Sequence, residues 1–238
     1  AFIDVGVHVG ETLQKFLKVA PDRPYIGFEP QIAPCFMVEG FLIENNFKNC
    51  VILPIALSNK HGSERIKIRG EGYESLYSPV ATFIDKFRPE EFYNYSKFIY
   101  TVPGDSILPE FKIDSISIIK IDVEGSELEV IEGLIQTIEK YKPYILFEVL
   151  SNYLVASGSH LDKETILFRE ERLVKLEKLI REKEYFIFQI FGYKELKKVN
   201  KIKPGNNNDF VTTNYLAVPK GEEANFVRFM RPHRNIVF

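Results

Sequence analysis

The sequence predicts a single α/β domain in which helices cover both faces of a mostly parallel sheet. Two observations support this fold class. Strands and helices alternate over the first 57 residues, which is typical of a parallel sheet. The chain has 238 residues and is 45% hydrophobic, enough for one sizeable core. No internal repeat or linker divides it, so we assign residues 1–238 to one domain.

The first five elements are predicted from short apolar runs and from the residues that end them. Residues 2–6 predict a strand that ends at a glycine, and residues 11–20 predict a helix that ends before Pro21. Residues 25–30 predict a second strand, because Pro30 stops the apolar run. A helix over 33–46 and an apolar strand over 51–57 complete this half of the sheet.

The rest of the chain is predicted from alternation and helical spacing. In chain order it contains a turn at 58–62, an alternating strand at 64–68, an aromatic segment without a period at 79–100, a strand at 116–121, a helix at about 126–141, a strand at 144–149, an amphipathic helix at 165–184 and strands at 185–191 and 210–218. We expect a variable insertion at about 70–104 and a loop at about 150–164 to select the substrate.

Charge and composition exclude several classes of partner. The net charge is −2, so we expect no general attraction to nucleic acid or anionic lipid. No apolar run is long enough to predict a membrane span. The sequence begins without Met at Ala1, inside a predicted strand, so we expect an upstream segment to be missing. Separately, we predict a cytoplasmic location.

The two cysteines predict no metal site and no disulfide framework. Cys35 and Cys50 have no CxxC spacing and no histidine cluster nearby. We expect both to be small buried apolar residues in a reducing compartment.

The first turn between strand and helix contains an acid and two glycines, in the sequence Asp4-Val5-Gly6-Val7-His8-Val9-Gly10. Glycines allow the backbone to turn sharply and to approach a ligand closely. A dinucleotide enzyme normally has GxGxxG here, whereas this chain has an acid followed by GxxxG. An acid at that position suits the amino group of a methionine moiety, although the motif also fits an ordinary glycine turn.

Further acids follow the other predicted parallel strands. Glu29 ends the second strand, where a carboxylate can bind both hydroxyls of a ribose, in S-adenosylmethionine or in NAD. Asp122 and Glu124 follow a buried strand, and Glu148 ends the next one. Burial of unpaired carboxylates is costly, so these acids predict a site. Glu127 fits a simpler role at the N-terminus of a helix.

At these residues the sequence resembles the FkbM family of methyltransferases. The matching segments are FIDVGVHVG (2–10), IGFEP (26–30), PIALSNKHG (54–62), IIKIDVEGSELEVIEG (118–133) and ILFE (145–148). The resemblance covers residues 2–150. It implies a class I methyltransferase (Rossmann-like) fold with a seven-stranded sheet whose last strand is antiparallel. It also implies methyl transfer from S-adenosylmethionine to an oxygen of a sugar, glycan or small natural product.

The resemblance assigns roles to individual residues. It implies that Asp4, Gly6 and Gly10 contact the methionine part of the cofactor, while Glu29, next to Pro30, binds its ribose. It places Asp122, Glu124 and Gly125 where the cofactor meets the acceptor. His8 departs from the family, which usually has Asn there, and is either a polar contact or a base.

An acceptor hydroxyl needs a base for its proton, and four residues are candidates. We predict Asp122 or Glu124, followed by Glu148 or His8, because all four lie near the predicted strand ends. We predict no metal, with one alternative: a divalent ion held by Asp122, Glu124 and Glu148. Two other functions stay open, a nicotinamide-dependent oxidoreductase and an inactive cofactor-binding protein.

Two clusters of side chains allow more than one interpretation. The aromatic residues of the insertion predict packing under a surface helix, with a lid over a sugar as the alternative; they are Phe83, Phe87, Phe92, Tyr93, Tyr95, Phe98 and Tyr100. A late group of lysines predicts a solvated hairpin, with an anionic substrate as the alternative; it comprises Lys194, Lys197, Lys198, Lys201 and Lys203.

Overall fold

A computed structural model describes residues 1–154, 159–192, 195–205, 212–230 and 235–237. These residues form a nine-stranded sheet, a separate four-stranded sheet and a two-stranded pair of β10 (Tyr153–Leu154) and β11 (Ser159–His160). In spatial order the strands of the large sheet are β15 (Asn235–Val237), β13 (Glu195–Lys198), β12 (Tyr185–Phe191), β14 (Asn214–Pro219), β9 (Tyr144–Glu148), β8 (Ile118–Ile121), β1 (Phe2–Val5), β2 (Tyr25–Phe28) and β3 (Cys50–Leu53).

The large sheet is mostly parallel, as predicted. Strands β3, β2, β1, β8 and β9 all run in the same direction. Strand β14 is antiparallel to both of its neighbours, β9 and β12. The predicted count of seven strands was wrong, because β13 and β15 extend one edge. The sequence of β13 is Glu-Leu-Lys-Lys, too short and polar to be distinguished from a loop.

Helices cover both faces of the sheet. They are α1 (Glu11–Val19), α2 (Ile32–Glu44), α3 (Gly104–Ile107), α4 (Glu127–Glu132), α5 (Ile135–Tyr141), α6 (Lys163–Glu182) and α7 (Glu223–Met230). One core joins α4, α5 and α6 to Ile3, Ile119 and Ile145, all at most 1% exposed. A second core joins α1 and α2 to Tyr25 and Ile52. Successive residues of a strand point to opposite faces, which separates the two cores.

The predicted strand at 51–57 is two strands that belong to different sheets. Strand β3 ends at Leu53, and β4 (Ala56–Leu57) pairs with β7 (Tyr95–Val102) of the four-stranded sheet. Pro54 lies between them, and proline lacks the N–H that a continuous strand needs. The order of the smaller sheet is β4, β7, β5 (Gly62–Ile68) and β6 (Ala81–Thr82).

The predicted helix at 126–141 is likewise two helices, α4 and α5. The second begins after Leu134, where the Asp105 carboxylate accepts hydrogen bonds from the backbone N–H groups of Gln136 and Thr137 at 2.8 Å. This cap satisfies donors that would otherwise lack partners at the helix start. Asp105 is about 30 residues away in sequence, so local spacing could not predict the break.

The prediction that the aromatic residues of the insertion pack under a helix holds for part of the group. Phe92 and Tyr93 cluster with Ile166 of α6, and the Phe87 ring lies 4.5 Å from the Arg169 guanidinium of the same helix. Phe87 and Phe92 are buried in the segment between β6 and β7. Tyr95, Phe98 and Tyr100 are exposed on β7, which pairs with β5 along its length.

The predicted lysine hairpin is present as the antiparallel pair β12–β13. Lys198 pairs with Glu223 at 2.5 Å, while Lys194 lies outside the described residues, as do parts of the loop at 150–164 and of the strand predicted at 210–218. Both cysteines are free, with Cys35 buried and Cys50 partly buried. Among the described residues, no helix has the length and apolar character that crossing a membrane requires.

Candidate functional site

A cavity lies at the carboxyl ends of β1, β2 and β8, and we call it the strand-tip cavity. This edge is where open α/β sheets bind ligands. The cavity contains about 550 Å³ of space free of protein atoms, part of it open to solvent. Its lining residues are Val5, Gly6, His8, Phe28, Glu29, Pro30, Gln31, Ala56, Leu57, Ile66, Ser78, Pro79, Ala81, Phe83, Asp122, Val123 and Glu124.

Gly6 allows the first turn to approach the end of β8. Its φ is 88°, in the left-handed region, and a Cβ added there would lie 1.9 Å from the backbone oxygen of Asp122. Only glycine fits such a contact without displacing one of the two segments. The close approach brings the predicted turn and Asp122 into the same cavity wall.

Glu29 is fixed in the cavity wall by two backbone groups. Its side chain accepts hydrogen bonds from the N–H of His8 at 2.8 Å and of Gln31 at 2.9 Å. The residue is only 4% exposed. Burial raises the pKa of Glu29, and the two backbone hydrogen bonds oppose that shift. The second strand therefore ends in an oriented carboxyl group.

The His8 ring is occupied by a contact outside the acidic cluster. Its Nε2 lies 2.8 Å from the backbone oxygen of Tyr77, and its backbone adopts a φ of 49°. His8 lines the cavity as predicted, with its ring tied to the 3₁₀ helix at Gly72–Tyr77. Because the Tyr77 carbonyl can only accept, Nε2 carries the hydrogen in this contact, and Nδ1 is the nitrogen that remains to act as a base.

Asp4 does not line the cavity, in contrast to its predicted contact with a methionine moiety. Its side chain is fully buried, accepts a hydrogen bond from the Tyr25 hydroxyl and lies 3.4 Å from Lys120 Nζ. Burial raises the pKa of Asp4, although Lys120 and Tyr25 oppose the shift. Lys120 also contacts Asp122, at 3.3 Å, so Asp4 is joined to the cavity through that lysine.

Gly10 and Gly125 also lie outside the wall of the strand-tip cavity. Gly10 precedes α1 and packs against the side chain of Val38. Gly125 has a φ of 108°, and a Cβ there would lie 2.6 Å from the ring of Phe87. The ring of Phe87 can therefore lie directly against the backbone that follows Glu124.

Three carboxyl groups meet at this edge of the sheet, and we call Asp122, Glu124 and Glu148 the acidic triad. One oxygen from each lies within 4.8 Å of the other two. The predicted placement of these residues at adjoining strand ends is therefore confirmed. Such a group can accept a proton or bind a cation.

Two members of the triad have cationic partners. Arg88 Nη2 donates to Glu124 at 2.5 Å, and Lys120 pairs with Asp122 at 3.3 Å. Burial raises the pKa of Glu124, and Arg88 opposes this. The Asp122 side chain is 42% exposed, so it remains accessible from the strand-tip cavity.

Glu148 has no such cation among the described residues. Its side chain accepts a hydrogen bond from the Thr213 hydroxyl at 2.8 Å. Burial, together with the charges of Asp122 and Glu124, raises its pKa to about 8. Burial likewise raises the pKa of Glu127 to about 7. Both carboxyl groups can therefore hold a proton near neutral pH.

A second cavity also borders the triad, and we call it the Arg169 cavity. It contains about 410 Å³ of space free of protein atoms, part of it open to solvent. Its lining residues are Phe87, Gly125, Glu127, Leu128, Glu148, Val149, Leu150, Arg169, Arg172, Leu173, Leu176 and Pro204.

The sequence reasoning missed the cations of the site. Lys120 interrupts the apolar strand Ile118–Ile121, and a charge at a buried strand position was a usable signal. Arg169 precedes Leu173, Leu176 and Ile180 at helical spacing, so its place on the apolar stripe of α6 was also visible. Arg88 lies in a segment without a periodic pattern and gave no signal.

Comparisons with protein-family models and with solved structures both find methyltransferases. The sequence model of a family described as the Methyltransferase FkbM domain matches residues 4–178. Among solved structures, methyltransferase FkbM from Methylobacillus flagellatus KT is similar, with a TM-score of 0.50 and 15% identity. The alignment covers 91% of this chain and 43% of that one, so this chain spans less than half of its length.

Two other solved structures match with TM-scores below 0.5. Precorrin-6y C5,15-methyltransferase from Geobacter metallireducens GS-15 has a TM-score of 0.41 and 10% identity over 92% of this chain and 78% of that one. A Streptococcus mutans protein described as a methyltransferase in complex with SAH has a TM-score of 0.44 and 8% identity over 91% and 86%. Curated proteins gave no significant match.

Proposed function

Because the chain belongs to the FkbM methyltransferase domain family, we propose that it transfers a methyl group from S-adenosylmethionine to a hydroxyl oxygen. The acceptor class that we propose is a sugar, a glycan or a small natural product. The strand-tip cavity holds the cofactor in this proposal.

The observation that best supports the proposal is the oriented carboxyl group of Glu29. Each of its oxygens accepts one backbone N–H, and a carboxylate oxygen has a second lone pair for a ribose hydroxyl. Ile66 and Phe83 give the same cavity an apolar side that suits an adenine ring. The lining residues therefore fit an adenosine-containing ligand.

In this proposal, a carboxylate of the triad accepts the proton that the acceptor hydroxyl releases. Bound S-adenosylmethionine supplies an electrophilic methyl group on a positively charged sulfur. A hydroxyl that becomes an ether must release its proton, and we assign Asp122 as the base. Asp122 is the more exposed of the two triad members that line the cavity, and Lys120 holds its carboxylate. Glu124 is occupied by Arg88, and Glu148 can already hold a proton near neutral pH.

An oxidoreductase that uses NAD would also need Glu29, so ligand binding must separate the two functions. We expect S-adenosylhomocysteine to raise the melting temperature of the purified protein and NAD to leave it unchanged. Glu29→Gln should weaken the affinity for S-adenosylhomocysteine at least about tenfold, because a ribose contact is lost. The exposed acid Glu39 on α2 gives a matched control, and Glu39→Gln should bind normally.

Catalysis is tested by transfer of a labelled methyl group to a library of sugars and small hydroxyl compounds. A labelled ether product supports the proposal. Binding of S-adenosylhomocysteine without any product would favour the inactive binding protein, and stabilisation by NAD alone would reject the methyltransferase assignment.

A further inference from the structure

The Arg169 cavity and the strand-tip cavity both border the acidic triad. The wall of the strand-tip cavity includes Asp122, Val123 and Glu124, and the wall of the Arg169 cavity continues with Gly125 and Glu127. Glu148 lines the Arg169 cavity, although its carboxyl group belongs to the triad. A molecule in the second cavity would therefore face Glu148, whereas a ligand in the first would face Asp122 and Glu124 of the same triad.

Arg169 is a buried cation without a carboxylate partner among the described residues. It is 7% exposed, and its guanidinium donates to the backbone oxygen of Leu150 at 2.7 Å and lies 4.5 Å from the ring centre of Phe87. Burial, followed by repulsion from Arg88, lowers the pKa of Arg169 to about 10, so it stays charged at neutral pH. A buried charge is costly unless an opposite charge pairs with it.

The other charged groups around the cavity offset the charge of Arg169 only in part. Glu127 and Glu124 attract it, but among the described residues neither forms an ion pair with it. Arg172 also lines the cavity, but it already pairs with Glu129, at 2.6 Å. Glu127 and Glu148 have pKa values raised to about 7 and 8, so each carries less than a full negative charge near neutral pH. The cavity therefore contains one guanidinium without an ion-pair partner among the described residues and two carboxyl groups that can act as donors when protonated.

We propose that the Arg169 cavity binds the methyl acceptor, and that this acceptor is a hydroxy acid whose carboxylate pairs with Arg169. This inference rests on the proposed function, which places the cofactor in the strand-tip cavity. A guanidinium binds a carboxylate with two parallel hydrogen bonds, which gives both affinity and orientation. A single guanidinium balances one negative charge, which favours a carboxylate over a doubly charged phosphate.

The test is ligand-detected NMR with protein that is saturated with S-adenosylhomocysteine. The probes are D-glucuronate, D-gluconate and L-tartrate at millimolar concentration, each paired with a neutral analogue in which an amide or CH₂OH group replaces the carboxylate. We expect saturation transfer to at least one acid and not to its neutral partner. The absence of a signal from all three acids, or equal signals within every pair, would overturn the proposal.

Substitutions show whether Arg169 is responsible. Arg169→Gln should weaken binding of the acid at least about tenfold, while Arg169→Lys should retain part of it. Lys178→Gln is the matched control, since it removes the same charge from a 73% exposed position of α6 and should change nothing. Acid binding that persists in Arg169→Gln would contradict the proposal.

Affinity for S-adenosylhomocysteine and the melting temperature are measured for every variant. If the cofactor product fails to bind, the proposed function is rejected, and acid binding is then measured without it. If a substitution at Arg169 prevents folding, the wild-type protein is used instead. The rate at which phenylglyoxal modifies Arg169 is then measured with and without the acid. Protection by the acid and not by its neutral partner supports the proposal, and equal reactivity in both rejects it.

Discussion

Asp122 and Glu124 are two residues apart, yet they meet different surroundings. Asp122 is 42% exposed and contacts Lys120, whereas Glu124 is 19% exposed and pairs with Arg88, itself 9% exposed. A carboxylate in a buried ion pair cannot easily be removed, because its partner is left as an unpaired charge. Asp122 is therefore suited to chemistry and Glu124 to structure.

Substitution with the matching amides should separate these two roles. We expect Asp122→Asn to lower turnover on an accepted hydroxyl compound by about 10²–10⁴-fold with measurable affinity for S-adenosylhomocysteine. Glu124→Gln should lower the free energy of unfolding by about 3–5 kcal/mol, because it leaves Arg88 unpaired. Steady-state kinetics measures the turnover of each variant, and urea unfolding measures its free energy of unfolding. Full turnover of Asp122→Asn would remove its assignment as the base.

Glu148 should make the stability of the protein depend on pH. Its folded pKa of about 8 exceeds the ordinary value of 4.5, so within this window the folded protein holds a proton that the unfolded chain has released. Stability contributed by the protonated group is therefore complete below pH 4.5 and lost as pH rises to 8, by up to about 1.4 kcal/mol per pH unit.

Urea unfolding of the wild type and Glu148→Gln at about pH 5, 6, 7 and 8 tests this dependence. The glutamine variant has no proton to lose, so we expect its stability to fall less with pH. Glu170→Gln, at an exposed position of α6, should follow the wild type. If the free energy of unfolding falls equally with pH in the wild type and in Glu148→Gln, Glu148 does not cause the pH dependence.

The sequence correctly predicted the position of a site residue where a single local pattern was sufficient to place it. Glu29 and Asp122 each follow an apolar strand, and both line the strand-tip cavity. Asp4 could not be placed in the same way, because its burial depends on Tyr25 and Lys120 from neighbouring strands. Such partners become visible only when the pairing of the strands is known.

At the scale of elements, the turn between β1 and α1 depends on its contact with the end of β8. Gly6→Ala would place a methyl group 1.9 Å from the Asp122 oxygen and would strain the backbone at a φ of 88°. We expect it to lower the free energy of unfolding by at least about 2 kcal/mol and to abolish binding of S-adenosylhomocysteine.

Gly40 in α2 provides the matched control for that substitution. A Cβ there meets no atom within 4 Å, so Gly40→Ala should be neutral or slightly stabilising. Melting temperatures and calorimetric titration measure both variants. If Gly6→Ala folds and binds like Gly40→Ala, the close approach is not required.

Two predicted elements were each divided in the structure, for different physical reasons. The strand at 51–57 is interrupted by Pro54, a local signal that the apolar run obscured. The helix at 126–141 is divided at Gly133 and Leu134, where Asp105 caps the second part from outside. The first division could have been predicted from the sequence, and the second could not.

At the scale of the whole molecule, alternation of strands and helices was sufficient to predict a mostly parallel sheet with helices on both faces. It was insufficient for the sheet edge, because β13 and β15 are short and β13 is polar. The smaller sheet was also missed, since β4 and β5 pair with β7, which lies roughly 27 to 45 residues later in the chain. Pairing over such distances leaves no local pattern.

The balance of charge around the triad predicts activity without a divalent metal. Lys120 and Arg88 already stand beside two of the three carboxylates, where a metal would add further positive charge. We expect methyl transfer to an accepted compound to be unchanged in excess EDTA. Loss of activity that added Mg²⁺ restores would instead assign the triad to a metal.

The two cavities share no lining residue among those described, and they divide the chain almost in sequence order. Every residue of the strand-tip cavity precedes position 125, and every residue of the Arg169 cavity except Phe87 follows position 124. Recombination between relatives near this junction could therefore exchange acceptor preference while the inherited nucleoside affinity persists. Chimeric proteins joined there would measure how independently the two halves can evolve.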